Sequence, residues 1–308
     1  MGAPDLSVEI AGLRLENPVI AASGTFGFGE EFLPFGSLEA AGAVVLKSVT
    51  ARPREGNPPP RLWETAAGLL NSIGLQNPGV DKLLSEILPR LEGVGPPLVG
   101  SAAGESVSEY VEVAGKLASS PQIVAVELNA SCPNVERGGI EFGRDPEALF
   151  ELTKAVKGAV GKKPLWAKLP PLVTDIAELA KAAEEAGADA VVVANTFPAM
   201  AVDPQTFEPR LGANFGGLSG PAIKPIVVRL VFEAARAASI PVIASGGALR
   251  GEDVVEFMLV GARAVQVGTA NMLDPVAIPR IVEELRRYLT EKGLRGAGEL
   301  VGRVRLRG

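Results

Sequence analysis

Residues 241–269 read PVIASGGALRGEDVVEFMLVGARAVQVGT, and their pattern decides the fold. PVIASG (241–246) is a short apolar run rich in β-branched residues, the mark of a strand buried on both faces. GEDVVEFMLVGA (251–262) repeats apolar residues at three- and four-residue steps and runs into a glycine, as an amphipathic helix with its C-cap does. AVQVGT (264–269) is a second apolar run like the first. A strand, a helix and a second strand in such close order form a βαβ unit with parallel strands.

The same alternation extends outward over the chain. Apolar runs recur at PVIAAS (18–23), AVVLKS (43–48), PLVGSA (97–102), VAVELN (124–129), PLWAKL (164–169) and AVVVAN (190–195). Helical patterns lie between them at VSEYVEVAGKLAS (107–119), DPEALFELTKAVKGAV (145–160), TDIAELAKAAEEAG (174–187) and IKPIVVRLVFEAARAAS (223–239). Eight buried strands alternating with helices predict an α/β fold, a (β/α)8 barrel, with residues 1–308 as a single domain. An open doubly wound sheet uses the same elements but usually fewer strands. SVEIAGLRLENP (7–18) alternates around a glycine turn and is expected to be an N-terminal hairpin closing the bottom of the barrel. RPREGNPPPR (52–61) reads as a loop.

Composition narrows the chemistry. The chain has 308 residues, 47% of them hydrophobic, and a formal net charge of -6. That balance leaves no basic footprint for nucleic acid. There is no histidine, which removes Ser-His-Asp and Cys-His catalysis and HExxH zinc sites. Cys132 is the one cysteine, so an intrachain disulfide is impossible and a cysteine-ligated metal or iron–sulfur site within this chain is not expected. A reducing cytoplasm is the expected location. MGAPDLSVEI lacks the basic flank and apolar run of a secretory signal, and no run of uncharged apolar residues is long enough to predict a membrane span.

In a barrel, function gathers at the C-terminal ends of the strands. Residues at or just past the ends of the runs are Ser23, Lys47, Ser48, Ser101, Asn129, Lys168, Asn195, Thr196, Gly246, Gly247, Gly268 and Thr269. Short polar residues begin many loops, but that does not account for Lys47 and Lys168, each placed directly after apolar residues. The glycine pairs after the last two strands fit a phosphate held by backbone N–H groups, and Gly217 and Gly220 can add a third side. Asn71, Asn129, Asn134 and Asn195 suit a planar ligand bearing imide and carboxylate groups. Lys47 can pair with a ligand carboxylate, and Lys168 can stabilise negative charge on a cofactor ring. Cys132, in NASCPN (129–134), sits on a strand-end loop and is the candidate general base, with nearby lysines favouring its thiolate.

Longer motifs carry a resemblance. LKSVTARPREGNPPPRLWET (46–65), LLNSIGLQNPGVD (69–81), ELNASCPNVERGGIEFGRDPE (127–147), GGLSGPAIKP (216–225), IASGG (243–247) and AVQVGTA (264–270) resemble the dihydroorotate dehydrogenases, flavin enzymes of pyrimidine synthesis. With GTFGFG (24–29), the chain is most similar to the class 1B catalytic subunits. Class 2 enzymes carry a membrane-associating extension and a serine base, whereas cysteine stands at 132 here.

The resemblance implies FMN at the top of the barrel. Its contacts would be Ser23, Lys47, Ser48, Ser101, Asn129, Lys168, Ala194 and Gly220, with Gly246, Gly247, Gly268 and Thr269 on the phosphate. It implies dihydroorotate or orotate held by Lys47, Asn71, Asn129, Asn134, Asn195 and Thr196 and by backbone groups of Ile73, Gly74 and Leu75. Cys132 would take the C5 proton while hydride leaves C6 for the flavin, and Lys168 would stabilise the reduced ring. It also implies a homodimer joined to a second subunit, which holds FAD and a [2Fe-2S] cluster and passes electrons to NAD+, giving a heterotetramer. The alternatives are a class 1A enzyme that reduces fumarate and, more distantly, a flavin-free barrel lyase or isomerase. The chain departs from the family pattern at Ser101, where asparagine is expected, at Pro170, where serine or threonine is usual, and in ANTFPAM (194–200).

Overall fold

The computed structural model describes residues 2–36, 38–93, 95–131, 133–134 and 140–307. All eight apolar runs form strands: β1 Val19–Ala21, β2 Ala43–Val45, β3 Leu98–Ala102, β4 Ile123–Asn129, β5 Leu165–Leu169, β6 Ala190–Val193, β7 Val242–Ser245 and β8 Ala264–Val267. They pair in parallel and in chain order, and β8 closes on β1. The fold is a (β/α)8 barrel. The continuous apolar runs follow from the architecture. One face of each strand packs inside the barrel and the other meets helices, so no residue of β1, β2, β3, β5, β6, β7 or β8 is exposed.

The helical segments fall where the periodicity places them, with polar side chains satisfying their first N–H groups. Helix α1 (Val107–Ser119) is capped by Ser106, whose Oγ accepts from Glu109 N. Asp145 caps α2 (Pro146–Val160), with a proline in the first turn, and Asp175 caps α3 (Ile176–Glu185). Helices α4 (Lys224–Ala237), α5 (Gly251–Leu259), α6 (Thr269–Leu273) and α7 (Ala277–Glu291) follow in chain order. No described helix is long and apolar enough to cross a membrane.

Val8–Ile10 and Leu13–Leu15 form the expected antiparallel hairpin. It immediately precedes the N-terminal end of β1, and Ile10 and Leu15 are buried in the core. A second sheet was not legible in the sequence. Leu62–Thr65, Gly68–Asn71, Gly216–Ser219 and Phe197–Ala199 make a four-stranded antiparallel sheet built from loops that follow β2 and β6. Its segments are short, rich in glycine and lack alternation, and its central pairing joins Asn71 to Gly217, far apart in the chain. The Pro-rich 52–61 segment is largely irregular, as expected, and leads into this sheet.

Candidate active site

One cavity of about 740 Å³ opens at the C-terminal ends of the barrel strands, a volume in the range of small-molecule and cofactor sites. Residues from the C-terminal ends of the strands and their loops reach it. Ser23 follows β1, Lys47 and Ser48 follow β2, Asn129 ends β4 and Lys168 lies in β5. Ala194, Asn195 and Thr196 follow β6, Gly246 and Gly247 follow β7, and Gly268 and Thr269 follow β8. Asn71, Ile73, Gly74 and Leu75 come from the four-stranded sheet and its exit loop.

Hydrogen bonds hold these groups in a chain along the wall. Ser23 Oγ donates to Leu46 O at 2.9 Å and lies 3.3 Å from Ser48 Oγ. Asn129 Nδ2 reaches Ser48 Oγ at 3.5 Å, and Asn195 Nδ2 donates to Asn129 Oδ1 at 3.3 Å. Asn195 Oδ1 accepts from Thr196 N at 2.7 Å. Buried Tyr110 anchors this end by donating to Asn129 O at 2.6 Å. Asn71 Nδ2 donates to Gly217 O at 3.1 Å, tying the covering sheet together beside the cavity. Thr269 Oγ1 donates to Ser219 Oγ at 2.8 Å, joining the last barrel loop to the same sheet.

The two lysines differ in surroundings. Burial holds the Lys47 ammonium below the usual lysine range; Glu31 opposes that shift and Arg61 adds to it. Among the described residues, Lys47 makes no ion pair. Lys168 is 6% exposed, and its Nζ donates to Gln266 Oε1 at 2.9 Å with Glu127 Oε1 at 3.6 Å.

The loops after β7 and β8 form a cradle. Gly246, Gly247, Gly268 and Thr269 line the cavity, and among the described residues none of their N–H groups donates to another protein group. A group of free N–H donors at one place is an anion site. Lys224, packed behind Gly247, is occupied by Asp253 at 2.7 Å and Glu256 at 2.6 Å. The cradle therefore offers dipoles, and Lys224 behind it is already ion-paired.

Two residues expected at the site do not line the cavity. Ser101 is fully buried and does not line the cavity; it sits behind Ser48, with 2.8 Å between the hydroxyl oxygens. Gly220 also stays off the wall, packing its carbonyl against Gly247. Cys132 lies outside the described residues; Ser131 before it lines the cavity. Asn134 is placed only by its backbone, which pairs with Ile140. Residues that sequence reasoning passed over include Glu127 and Gln266. Their signal was a polar residue in the middle of a buried run, VAVELN and AVQVGT.

The sequence matches the dihydroorotate dehydrogenase family model over residues 5–289. The chain belongs to the dihydroorotate dehydrogenase family. Within that family, it is 51% identical over 302 residues to the dihydroorotate dehydrogenase B (NAD(+)) catalytic subunit of Geobacter sulfurreducens, covering 98% of this chain and 99% of the relative. The proteins of the same name from Geobacillus kaustophilus and Bacillus caldolyticus are each 49% identical over 298 residues, covering 97% of this chain and 95% of each relative. Family membership and the barrel agree, and the motifs that carry the resemblance supply most of the cavity wall.

Proposed function

We propose that this chain is the catalytic subunit of an NAD+-linked dihydroorotate dehydrogenase, a single barrel domain that oxidises dihydroorotate to orotate in pyrimidine biosynthesis. The observation that carries this reading is the meeting, in one cavity, of a neutral anion cradle, a lysine without an ion pair among the described residues, and the amides of Asn71, Asn129 and Asn195.

FMN fits the residues present. The free N–H groups of Gly246, Gly247, Gly268 and Thr269 suit its phosphate, and the absence of Cβ atoms at Gly246 and Gly247 lets their loop pack closely on Val227 and Lys224 behind it. Ser23, Ser48, Asn129, Ala194 and Lys168 would hold the rest of it. When bound, FMN supplies the two-electron acceptor that the side chains lack.

The residues of this chain bind, orient and deprotonate. Lys47 offers a charge to the substrate carboxylate, and its partial desolvation strengthens that pairing. Asn71, Asn129, Asn134, Asn195 and Thr196, with backbone groups of Ile73, Gly74 and Leu75, hold the planar ring and select its face. The Sγ of Cys132 takes the proton from substrate C5. A hydride would leave C6 for FMN, so the C5–C6 bond becomes double, and the two hydrogens lost are accounted for as one proton on the thiolate and one hydride carrying the two electrons. With no histidine in the chain, a thiolate is the group suited to that proton. Lys168 stabilises the negative charge that arrives with the electrons.

The relatives are named as the catalytic subunit of an NAD(+) enzyme, which supports a partner that carries electrons onward. In this reading two catalytic chains form a dimer and join two FAD- and [2Fe-2S]-containing subunits in a cytoplasmic heterotetramer. The same name favours NAD+ over fumarate as acceptor.

The test is direct. Purified protein should carry FMN, and its visible absorbance should bleach anaerobically on addition of dihydroorotate. Cys132→Ala should keep flavin but lose roughly 10²–10⁴-fold in the rate of bleaching. Protein that cannot be reconstituted with FMN rejects the reading, and an unchanged rate for Cys132→Ala removes the thiol from it. NAD+ with the partner subunit, assayed against fumarate, decides the acceptor.

A further inference from the structure

Glu127, Gln266 and Lys168 form a polar cluster inside the barrel. Glu127 comes from β4, Lys168 from β5 and Gln266 from β8, which lies opposite β4 in the closed strand order. Gln266 Nε2 donates to Glu127 Oε2 at 2.5 Å, while its Oε1 accepts from Lys168 Nζ at 2.9 Å. The amide thus has one orientation, with its donor to the carboxylate and its acceptor to the ammonium. Glu127 is fully buried. Its other oxygen, Oε1, has no hydrogen-bond partner and faces Lys168 Nζ at 3.6 Å.

A buried carboxylate oxygen without a donor is costly, and barrel interiors are normally filled with apolar side chains. This cluster is not in the interior at large. Glu127 and Lys168 both line the cavity, and Gln266 is register-paired with Ser245, the residue before the glycine cradle. An ammonium carries three donors. With Gln266 taking one and the Glu127 charge behind it, the remaining donor capacity is available to the cavity.

Resting on the flavin reading above, we infer that Glu127 and Gln266 are positioning residues that fix the place and the charge of the Lys168 ammonium beneath the flavin site. Lys168 is the group that touches the cofactor. Glu127 and Gln266 act through it, Gln266 as an oriented spacer that keeps the pair from collapsing into a direct contact. A purely structural ion pair would contribute to barrel stability and leave the cofactor's electronics untouched.

The flavin midpoint potential distinguishes the two roles. It should be measured anaerobically on the holoenzyme for the wild type, Glu127→Gln, Gln266→Leu and Lys168→Met, and for Lys168→Met combined with Glu127→Gln. A held ammonium favours the more negative reduced ring. Glu127→Gln, nearly isosteric, should therefore lower the equilibrium for flavin reduction about tenfold, close to 30 mV for a two-electron couple. In the Lys168→Met background the same change should have roughly threefold effect or less, because coupled residues are not additive. An unmoved potential overturns the inference. So does a rise, which is what loss of a negative charge alone would produce, or an equal shift with and without Lys168. If Glu127→Gln does not fold, as read by its melting temperature, Gln266→Leu decides on the same scale. Failure of the wild type to bind FMN would reject the flavin reading itself, whereas a yellow wild type with unmoved variant potentials rejects only this inference.

Discussion

A Cβ built on Gly247 would stand 2.7 Å from the carbonyl oxygen of Gly220. Gly247 also has a φ of 86°, where any other residue is strained. The two glycines join the loop after β7 to the loop before α4 and leave the cradle open to an anion. Gly247→Ala should cost about 1–2 kcal/mol of stability from the backbone strain alone. The displaced loop should weaken FMN retention by roughly tenfold or more, for each 1.4 kcal/mol lost from binding. The flavin-to-protein ratio after gel filtration measures this, and full flavin occupancy in a folded Gly247→Ala protein would count against the cradle.

Ser101 lies behind Ser48, so its hydroxyl should matter to the wall and not to the ligand. Ser101→Ala should cost about 1 kcal/mol, the value of one buried hydrogen bond, since Ser48 keeps Ser23 as a neighbour. Thermal unfolding should register that change while FMN occupancy stays at the wild-type level. A colourless Ser101→Ala protein with an unaltered melting temperature would put the residue back in contact with the cofactor.

Gly217 approaches Thr196 and Asn71 from the covering sheet. A Cβ there would meet Thr196 Oγ1 at 2.0 Å, and Gly217 O is the acceptor for Asn71 Nδ2. Gly217→Ala should shift the two side chains proposed to hold the substrate and leave the cradle intact. Steady-state kinetics should show KM for dihydroorotate raised roughly tenfold, about 1.4 kcal/mol, with bound FMN unchanged. Loss of flavin with normal KM would show that this sheet serves the cofactor instead.

Burial lowers the Lys47 proton affinity, and two pH effects follow with definite sign. A substrate carboxylate needs the charged lysine, so KM for dihydroorotate should climb as pH rises through the lowered value, earlier than an ordinary lysine would allow. Lys47→Met should remove that pH limb and raise KM at neutral pH by about 10- to 100-fold, matching a charge-assisted bond of 1.5–3 kcal/mol. For the ligand-free protein the sign is opposite. Between the lowered folded value and the ordinary lysine value, the unfolded chain binds more protons, so stability gains with rising pH in that window. Melting curves of wild type against Lys47→Met across alkaline pH check this, and parallel curves would contradict it.

The strand runs and the helices were legible because they depend on neighbours a few residues apart. PVIASG and AVQVGT state their burial in their own composition. The strand-end rule then located Lys47, Asn129, Lys168 and the glycine pairs. That Ser101 packs behind Ser48 could not be read locally, because which hydroxyl faces the cavity depends on the contact between β3 and the loop after β2. The covering sheet escaped notice because Gly216–Ser219 and Gly68–Asn71 carry no periodicity and pair across a long stretch of chain.

Local pattern alone therefore determined an eight-stranded α/β barrel and the residue types at its mouth, and the absence of histidine narrowed the chemistry to thiol, amide and lysine. Tertiary structure decided which of those residues share a wall and which stand behind it. It brought Glu127, Lys168 and Gln266 together from separate strands and joined Asn71 to Gly217 in the sheet beside the cavity. The physical reason is range. Strand and helix preferences arise from steric and burial effects between near neighbours, whereas side-chain contacts across a closed barrel exist only once its register and closure have set the distances.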